Sequence, residues 1–358
     1  MSFHVTSTAY MFQAILVSLV VSLVACWAAI RIARRLDLID IPNSSPHKQH
    51  EFPTPLAGGI ALVLSLPVLG LIFGLFTDRE LLPVLAASGV IFAFGLWDDA
   101  KGMSAPVKVL GQTIAVGILI ASGLHIRIFE YPGFFIGGSG PLYRGMNILV
   151  TWFWVVGITN AFNLTDSMDG LSVGLSGWAL AFFTLATFDS GQVTLSLFSA
   201  LLLGICLGIS FFNRHPAKLF LGDSGAQTLG FFLAAIGMLY TPVGAYQTSS
   251  WFVPILLVGV PIFDTSLVFF SRLRRKQAFY KSGRDHTYHR LVKHGMDSGR
   301  AVMSMHFAAL ILECVAFVAV SLEPLQANGL FVACILVGVV FFFILDMKLV
   351  WPAYVICL

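Results

Sequence analysis

Met146-Asn147-Ile148-Leu149-Val150-Thr151-Trp152-Phe153-Trp154-Val155-Val156-Gly157-Ile158 is an apolar run, and close behind it stands Asn160-Ala161-Phe162-Asn163-Leu164-Thr165-Asp166-Ser167-Met168-Asp169-Gly170-Leu171. The first stretch reads as a membrane segment. The Asp166 and Asp169 carboxylates therefore stand where the chain re-emerges from lipid, a position at which charge is costly unless paired or solvated. Their i,i+3 spacing predicts one shared face of a helical turn, which Asn163 extends. On this stretch alone a polar helix end, with Asn and Asp as caps, has equal weight.

Composition settles the class. With 57% hydrophobic and 11% charged residues, the 358-residue chain is excluded from the soluble domains. It is expected to be an all-α polytopic membrane protein, with 1–358 as a single integral-membrane domain. Cys26, Cys206, Cys314, Cys334 and Cys357 lie in apolar segments or the tail, without the spacing of a disulfide framework or a zinc site.

Residues 10–32 form an apolar run of spanning length, and Arg31, Arg34 and Arg35 close it. Because the basic residues follow the run, it reads as an anchor rather than a cleaved signal peptide. Further spans are predicted at 56–76, 82–97, 107–124, 146–163, 171–188, 193–212, 221–240, 251–271, 301–322 and 329–345, giving a bundle of about eleven transmembrane helices. An odd number puts the N-terminus outside and the C-terminus inside. With that alternation 18 of the 21 Lys and Arg fall on the cytoplasmic side, leaving Arg79, Arg127 and Arg144 outside, as the positive-inside rule requires.

The polar clusters fall on the same inner face. Residues 37–55 carry Pro46-His47-Lys48-Gln49-His50 and Pro53-Thr54-Pro55, followed by Gly58-Gly59, which lets the next helix start under close packing. Lys48 and His50 suit an anionic ligand, and equally a solvated basic loop. Asp98 and Asp99 end a span where basic residues would normally sit. On a helix they point about 100° apart, so one is free for a metal while the other faces a different partner. The outer loop 125–147 has no such cluster and reads as a cap.

In Asn213-Arg214-His215-Pro216-Ala217-Lys218-Leu219-Phe220-Leu221-Gly222-Asp223-Ser224-Gly225, glycines flank an acid at a helix start, where backbone can approach phosphate. Taken alone Asp223 reads first as an N-cap. A shared metal ion would reconcile it with a phosphate. Asp264 needs a partner within its apolar run, and Glu313 reads as structural. Loop 272–300 carries nine basic residues, as the orientation alone would lead one to expect. Within it His286, His289 and Arg290 make a donor-rich patch suited to a pyrophosphate, a stronger reading than a zinc pair lacking a third ligand.

Taken together these motifs are similar to a known family. Lys48 with Pro53-x-Pro55 and Gly58-Gly59, Asp98-Asp99 with Lys108, and Asn160-Ala-Phe-Asn163-Leu-Thr-Asp166-x-x-Asp169-Gly170-Leu171 come first. Phe220-Leu-Gly-Asp223-Ser-Gly225, Pro261-x-x-Asp264 and His286-x-x-His289-Arg290-Leu291 follow in the same order. Over residues 36–295 the set resembles the polyprenyl-phosphate N-acetylhexosamine-1-phosphate transferases, glycosyltransferase family 4.

The resemblance implies ten or eleven helices around a cytoplasmic active-site cleft in the bacterial inner membrane. It implies Mg²⁺-dependent transfer of an N-acetylhexosamine 1-phosphate from a UDP-amino sugar to undecaprenyl phosphate, releasing UMP and initiating a cell-surface polysaccharide such as an O-antigen. Asp98, Asp99 and Asp223 correspond to the catalytic and metal-binding acids. Lys48, Asn163, Asp166, Asp169, Asn213 and Phe220 correspond to the nucleotide-sugar pocket, with Phe220 set to stack on uracil. His286, His289 and Arg290 complete the substrate-binding set. The resemblance admits Mn²⁺ in place of Mg²⁺ and a homodimeric assembly, and gives no role to a nucleic acid.

Four departures stand out: Tyr288 replaces a histidine, Ser167 a glycine, Leu56 an arginine and Gly102 the last acid of a DDxxD form. They bear on which sugar is carried, and a 6-deoxy amino sugar stands beside GlcNAc. The inner loops resemble the polysaccharide-initiating branch more than the MurNAc-pentapeptide phosphotransferases of peptidoglycan synthesis. A proton-coupled secondary transporter remains the reading from another class. It is served only by Asp264 and Glu313, and no inverted repeat accompanies them.

Overall fold

The computed structural model describes residues 2–42, 52–130, 138–242, 250–277, 283 and 285–346. Lys48 and His50 lie outside the described residues. The described chain is helical almost throughout, and its only sheet is a two-stranded antiparallel one, β1 (Ile39–Asp40) with β2 (Thr54–Pro55). The helices are α1 (Ser2–Arg35), α2 (Gly58–Phe73), α3 (Leu81–Lys101), α4 (Ala105–Ala121), α5 (Pro141–Thr165), α6 (Leu171–Asp189) and α7 (Val193–Asn213). They continue with α8 (Gly222–Leu239), α9 (Val253–Leu257), α10 (Gly259–Arg274), α11 (Thr287–Lys293), α12 (Ser298–Val320) and α13 (Pro324–Asp346).

Seven described helices are long and apolar enough to cross a membrane: α1, α3, α5, α6, α7, α12 and α13, with α2 and α4 as shorter apolar helices. This is a multi-pass membrane protein. In lipid the apolar side chains have no water to escape, so packing rests on close approach of small residues. The α1–α7 pair shows it. A side-chain carbon at Gly204 would lie 2.5 Å from the Ile15 carbonyl oxygen, and one at Gly208 would lie 2.6 Å from Ser22 Cβ. The hydroxyls of Ser18 and Ser22 then donate across the contact to the carbonyls of Leu201 and Ile205.

At the centre is α8, against which α2, α3, α5 and α6 all pack. Every residue from 222 to 236 except Asp223 is buried. Asp223, Gln227 and four glycines interrupt the apolar run, so this helix is a post enclosed by protein rather than a lipid-facing span.

Two expectations are corrected. The stretch 251–271 is not one helix: it breaks at Val258, between α9 and α10. Pro261 has no N–H to give the Leu257 carbonyl, and its ring crowds that turn, so a continuous helix is disfavoured there. Asp166 and Asp169 do not share a helical turn either. Helix α5 ends at Thr165, and 166–170 is a loop that closes at Gly170 with φ 75°.

Candidate active site

Helices α3 and α8 meet without side chains between them, because a carbon added at Gly95 would sit 2.5 Å from Ser224 Cα. That closeness delivers the C-terminal end of α3, with Asp98 and Asp99, to the first turn of α8. Asp99 caps α8 from outside the helix. Its Oδ1 accepts from the Asp223 N–H at 2.7 Å, and its Oδ2 accepts from the Ser224 N–H at 3.1 Å and the Ser224 hydroxyl at 2.6 Å. The two N–H groups are orphan donors of a helix N-terminus, which carries partial positive charge. Asp223 is thus released from the capping role that the sequence first suggested. Gly102, in place of the family's last acid, ends α3 at φ 71°, a conformation an acid would adopt only under strain.

Asp98 turns the other way. Lys108 Nζ, from the first turns of α4, donates to both Asp98 Oδ2 and Asp223 Oδ2. The side chain of Asp98 is 9% exposed and that of Asp223 30%, so Asp223 is the member of the pair that a ligand reaches. Asn163 reaches the same Asp223 carboxylate from α5.

Half-buried Asp166 follows on the α5–α6 loop. Burial raises its carboxyl well above the ordinary value, and the nearby charges of Asp223, Asp99 and Asp169 raise it further. Five carboxylates, those of Asp98, Asp99, Asp166, Asp169 and Asp223, thus lie near one another with one lysine, Lys108, among them, an arrangement that calls for more positive charge.

Beneath this cluster lies an amide layer. Asn160 Nδ2 donates to Gln112 Oε1 at 2.7 Å, and Gln112 Nε2 donates to Gln227 Oε1 at 3.1 Å. Each residue stands three or four positions along its helix from a member of the acidic site: Lys108, Asn163 or Asp223. Sequence reasoning passed over Gln112 and Gln227, whose signal was an uncharged polar residue inside an apolar run.

Asp169 and Asn213 join two loops. Asp169 Oδ2 accepts from the Ala217 N–H at 3.1 Å and lies 2.9 Å from His215 Nδ1. Asn213 accepts from the Gly170 N–H at 3.0 Å and donates to the Leu219 carbonyl at 2.9 Å. Phe220 is fixed through its backbone, bonded to Pro55 on one side and to Ala57 and Gly58 on the other.

His286, His289 and Arg290 gather at α11, which rests on α10, α12 and α13. Asp264 does have a partner: His286 Nδ1 lies 2.8 Å from its Oδ2. Tyr288 is fully buried, and its hydroxyl lies 2.8 Å from His289 Nε2.

The guanidinium of Arg290 is spent inside the protein. Its Nε donates to the Asp285 carbonyl at 2.8 Å, Nη1 to Asp346 Oδ1 at 2.9 Å and Nη2 to the Ser271 hydroxyl at 2.8 Å. No described hydrogen bond joins His286 or Arg290 to the acidic cluster. Neither carboxyl oxygen of Glu313 has a partner among the described residues.

Among the described residues no three His, Cys, Asp or Glu side chains are grouped to hold a metal by themselves. Magnesium asks less of a protein, taking one or two carboxylates with the rest of its shell from phosphates and water. Asp98 and Asp223 already converge on a cation, the Lys108 ammonium, so hard oxygen donors of the right kind and charge are in place.

Fold and site define a multi-pass membrane enzyme in which carboxylates, a lysine and a helix N-terminus are gathered at one end of a bundle. Residues 81–241, which hold the acidic cluster, match glycosyl transferase family 4. The chain is 31% identical to the probable undecaprenyl-phosphate N-acetylglucosaminyl 1-phosphate transferase of Bacillus subtilis (strain 168), covering 85% of this chain and 84% of that one. It is 29% identical to the decaprenyl-phosphate N-acetylglucosaminephosphotransferase of Mycobacterium tuberculosis (strain ATCC 25618 / H37Rv), over 86% and 82%. It is 28% identical to the undecaprenyl-phosphate alpha-N-acetylglucosaminyl 1-phosphate transferase of Escherichia coli (strain K12), over 81% and 78%. The chain belongs to the polyprenyl-phosphate N-acetylglucosaminyl 1-phosphate transferase family, whose members are phosphoglycosyltransferases.

Proposed function

We propose that the protein transfers an N-acetylhexosamine 1-phosphate from a UDP-sugar to undecaprenyl phosphate, releasing UMP and beginning a cell-surface polysaccharide. The observation that carries this is the convergence of Asp98, Asp223 and Lys108 beside the capped N-terminus of α8. The names of the three relatives above, each an N-acetylglucosaminyl transferase, favour this branch over the MurNAc-pentapeptide one.

In the reaction an oxygen of the lipid phosphate attacks the β-phosphorus of the UDP-sugar. The bond from that phosphorus to the UMP oxygen breaks, and UMP leaves with its electron pair. Lipid phosphate, with a second pKa near 6, is mostly dianionic at neutral pH. Asp98 therefore orients it through Lys108 and need not remove a proton. Asp223 and Asp98 are the residues that would hold Mg²⁺, or Mn²⁺ in its place, while Asp99 keeps the end of α8 aimed at the site. When bound, such an ion supplies charge neutralisation at the pyrophosphate oxygens. Lys108 provides the remaining positive charge. Phe220 stacks on uracil, Asn163 and Asp166 line the sugar side, and His286 and His289 take the pyrophosphate, with Arg290 holding their helix in place.

About eleven spans, with the site in a cytoplasmic cleft, bring it to the donor nucleotide. Cysteine reporters in a cysteine-free background should react from outside in 125–147, and only after permeabilisation in 272–300. External labelling of the second loop would separate the site from its donor. The donor is tested by offering UDP-GlcNAc, UDP-GalNAc, a UDP-6-deoxy amino sugar and UDP-MurNAc-pentapeptide to purified protein with undecaprenyl phosphate, with and without EDTA. A small amino sugar should enter the lipid fraction and EDTA should stop it. Transfer of the pentapeptide donor alone would overturn the branch.

A further inference from the structure

Asp264 is a fully buried acid on α10, and a charge in that position needs compensation. It has two partners, both in the first residues around α11. Its Oδ1 accepts from the Thr287 N–H at 2.6 Å, and its Oδ2 lies 2.8 Å from His286 Nδ1. The first bond is a helix cap, and a cap needs only one oxygen. The second fixes chemistry. An ionised carboxylate only accepts, so the proton of this bond belongs to Nδ1, and the other ring nitrogen is left for something else.

Nε2 of His286 has no hydrogen-bond partner among the described residues, and it is not among the buried polar atoms left unsatisfied. The ring also lies at 13° to the Tyr288 ring with centroids 6.1 Å apart, and Tyr288 is itself fully buried in the core. An imidazole clamped on one face, bonded through one nitrogen to a buried carboxylate and open at the other nitrogen is a preorganised contact.

We propose that Asp264 is a positioning residue for the transfer reaction: it fixes His286 with its proton on Nδ1 and presents Nε2 to an anionic oxygen of the pyrophosphate. With Nδ1–H fixed, Nε2 donates to that oxygen only in the doubly protonated ring, whose counter-charge would be the Asp264 carboxylate 2.8 Å from Nδ1. The role extends the assignment of His286 made above and rests on it.

The test is a double-mutant cycle on the purified full-length protein, reading kcat and KM for UDP-GlcNAc, the melting temperature and the side-chain nitrogen resonances of ¹⁵N-labelled histidine. Asp264→Asn keeps an acceptor for the Thr287 N–H but offers Nδ1 an N–H, so the ring loses its counter-charge and meets the pyrophosphate as a neutral Nε2–H donor instead of an imidazolium. Its kcat/KM should fall roughly 10- to 100-fold, as when a functional histidine loses its orienting partner. The melting temperature should hold, and the Nδ1 signal should lose its protonated signature. In a His286→Gln background the same substitution should change kcat/KM by less than about twofold, because its effect passes through the ring. Asp264→Glu should recover part of the loss and serves as the second variant if Asp264→Asn is poorly folded.

Equal losses in both backgrounds would overturn the proposal, as would an unchanged nitrogen signature in Asp264→Asn. Wild-type kcat/KM in His286→Gln would remove His286 from the substrate, and Asp264 with it. If the wild-type protein transfers no sugar phosphate at all, the proposed function falls. The nitrogen resonances then still decide whether Asp264 sets the tautomer.

Discussion

Two adjacent acids at the end of α3 perform different work. Asp99 holds three donors of the α8 N-terminus, whereas Asp98 shares the Lys108 ammonium with Asp223. Asp99→Ala should therefore lower stability by about 1–2 kcal/mol as a lost cap, together with activity. Asp98→Asn should leave the melting temperature almost unchanged and, if the proposed role of Asp98 holds, depress kcat more than UDP-sugar affinity, as expected of a contact made chiefly in the transition state. Thermal melts and nucleotide binding on the two variants check this. Equal stability losses would contradict the division of labour.

Asp285 gives a pH-dependent case outside the membrane-spanning helices. Burial alone would raise its carboxyl, but the Arg272 guanidinium holds it below the ordinary value through bonds of 2.8 and 2.6 Å. A carboxylate depressed in the folded state contributes stability above its unfolded pKa, near 3.9, and loses it as pH falls through the folded value. Asp285→Asn should thus melt below wild type at pH 7, and the gap should close as pH falls below about 4. A gap independent of pH would show that the pair contributes shape rather than charge.

At the scale of elements the site depends on how closely helices approach. Gly95 lets α3 rest on the α8 backbone, so Gly95→Ala forces a methyl to within 2.5 Å of Ser224 Cα. The expected cost is about 1–3 kcal/mol of overpacking. Turnover should fall with it, because Asp98 and Asp99 move away from Asp223 together. Gly117→Ala is the control, since a carbon there meets nothing within 4 Å. Helix propensity alone would raise stability in both variants, so matching losses would show that the α3–α8 contact does not set the effect.

The amide layer of Gln112, Asn160 and Gln227 works at the same scale. It sets the register of α4, α5 and α8 just below the charged groups those helices carry.

Across the whole molecule, the apolar runs and the order of the motifs were legible because bilayer thickness and the cost of intramembrane charge leave plain marks in a sequence. Asp98 and Asp99 could be read as facing different partners from helical geometry alone. Which partner each takes could not be read, since Asp99 finds Ser224 across more than a hundred residues. The Asp166–Asp169 spacing misled, because the loop that Gly170 closes ends the helix before that period applies. Arg290 misled differently: a basic loop suggested an anion contact, but Asp346, far along the chain, takes its guanidinium. The break before Pro261 was visible in the sequence and was overridden by the apolar pattern around it.

The proposed place of sugar-phosphate transfer to the lipid is the group of carboxylates around Lys108. Its most direct test is the label recovered in lipid from UDP-[¹⁴C]GlcNAc and undecaprenyl phosphate with Mg²⁺, for purified wild type beside Asp223→Asn of matched melting temperature. Labelled lipid is expected from the wild type and a loss of roughly 100-fold or more in the variant, the scale at which removing one electrostatic contact to the transition state is felt. Equal labelling by both proteins would contradict it.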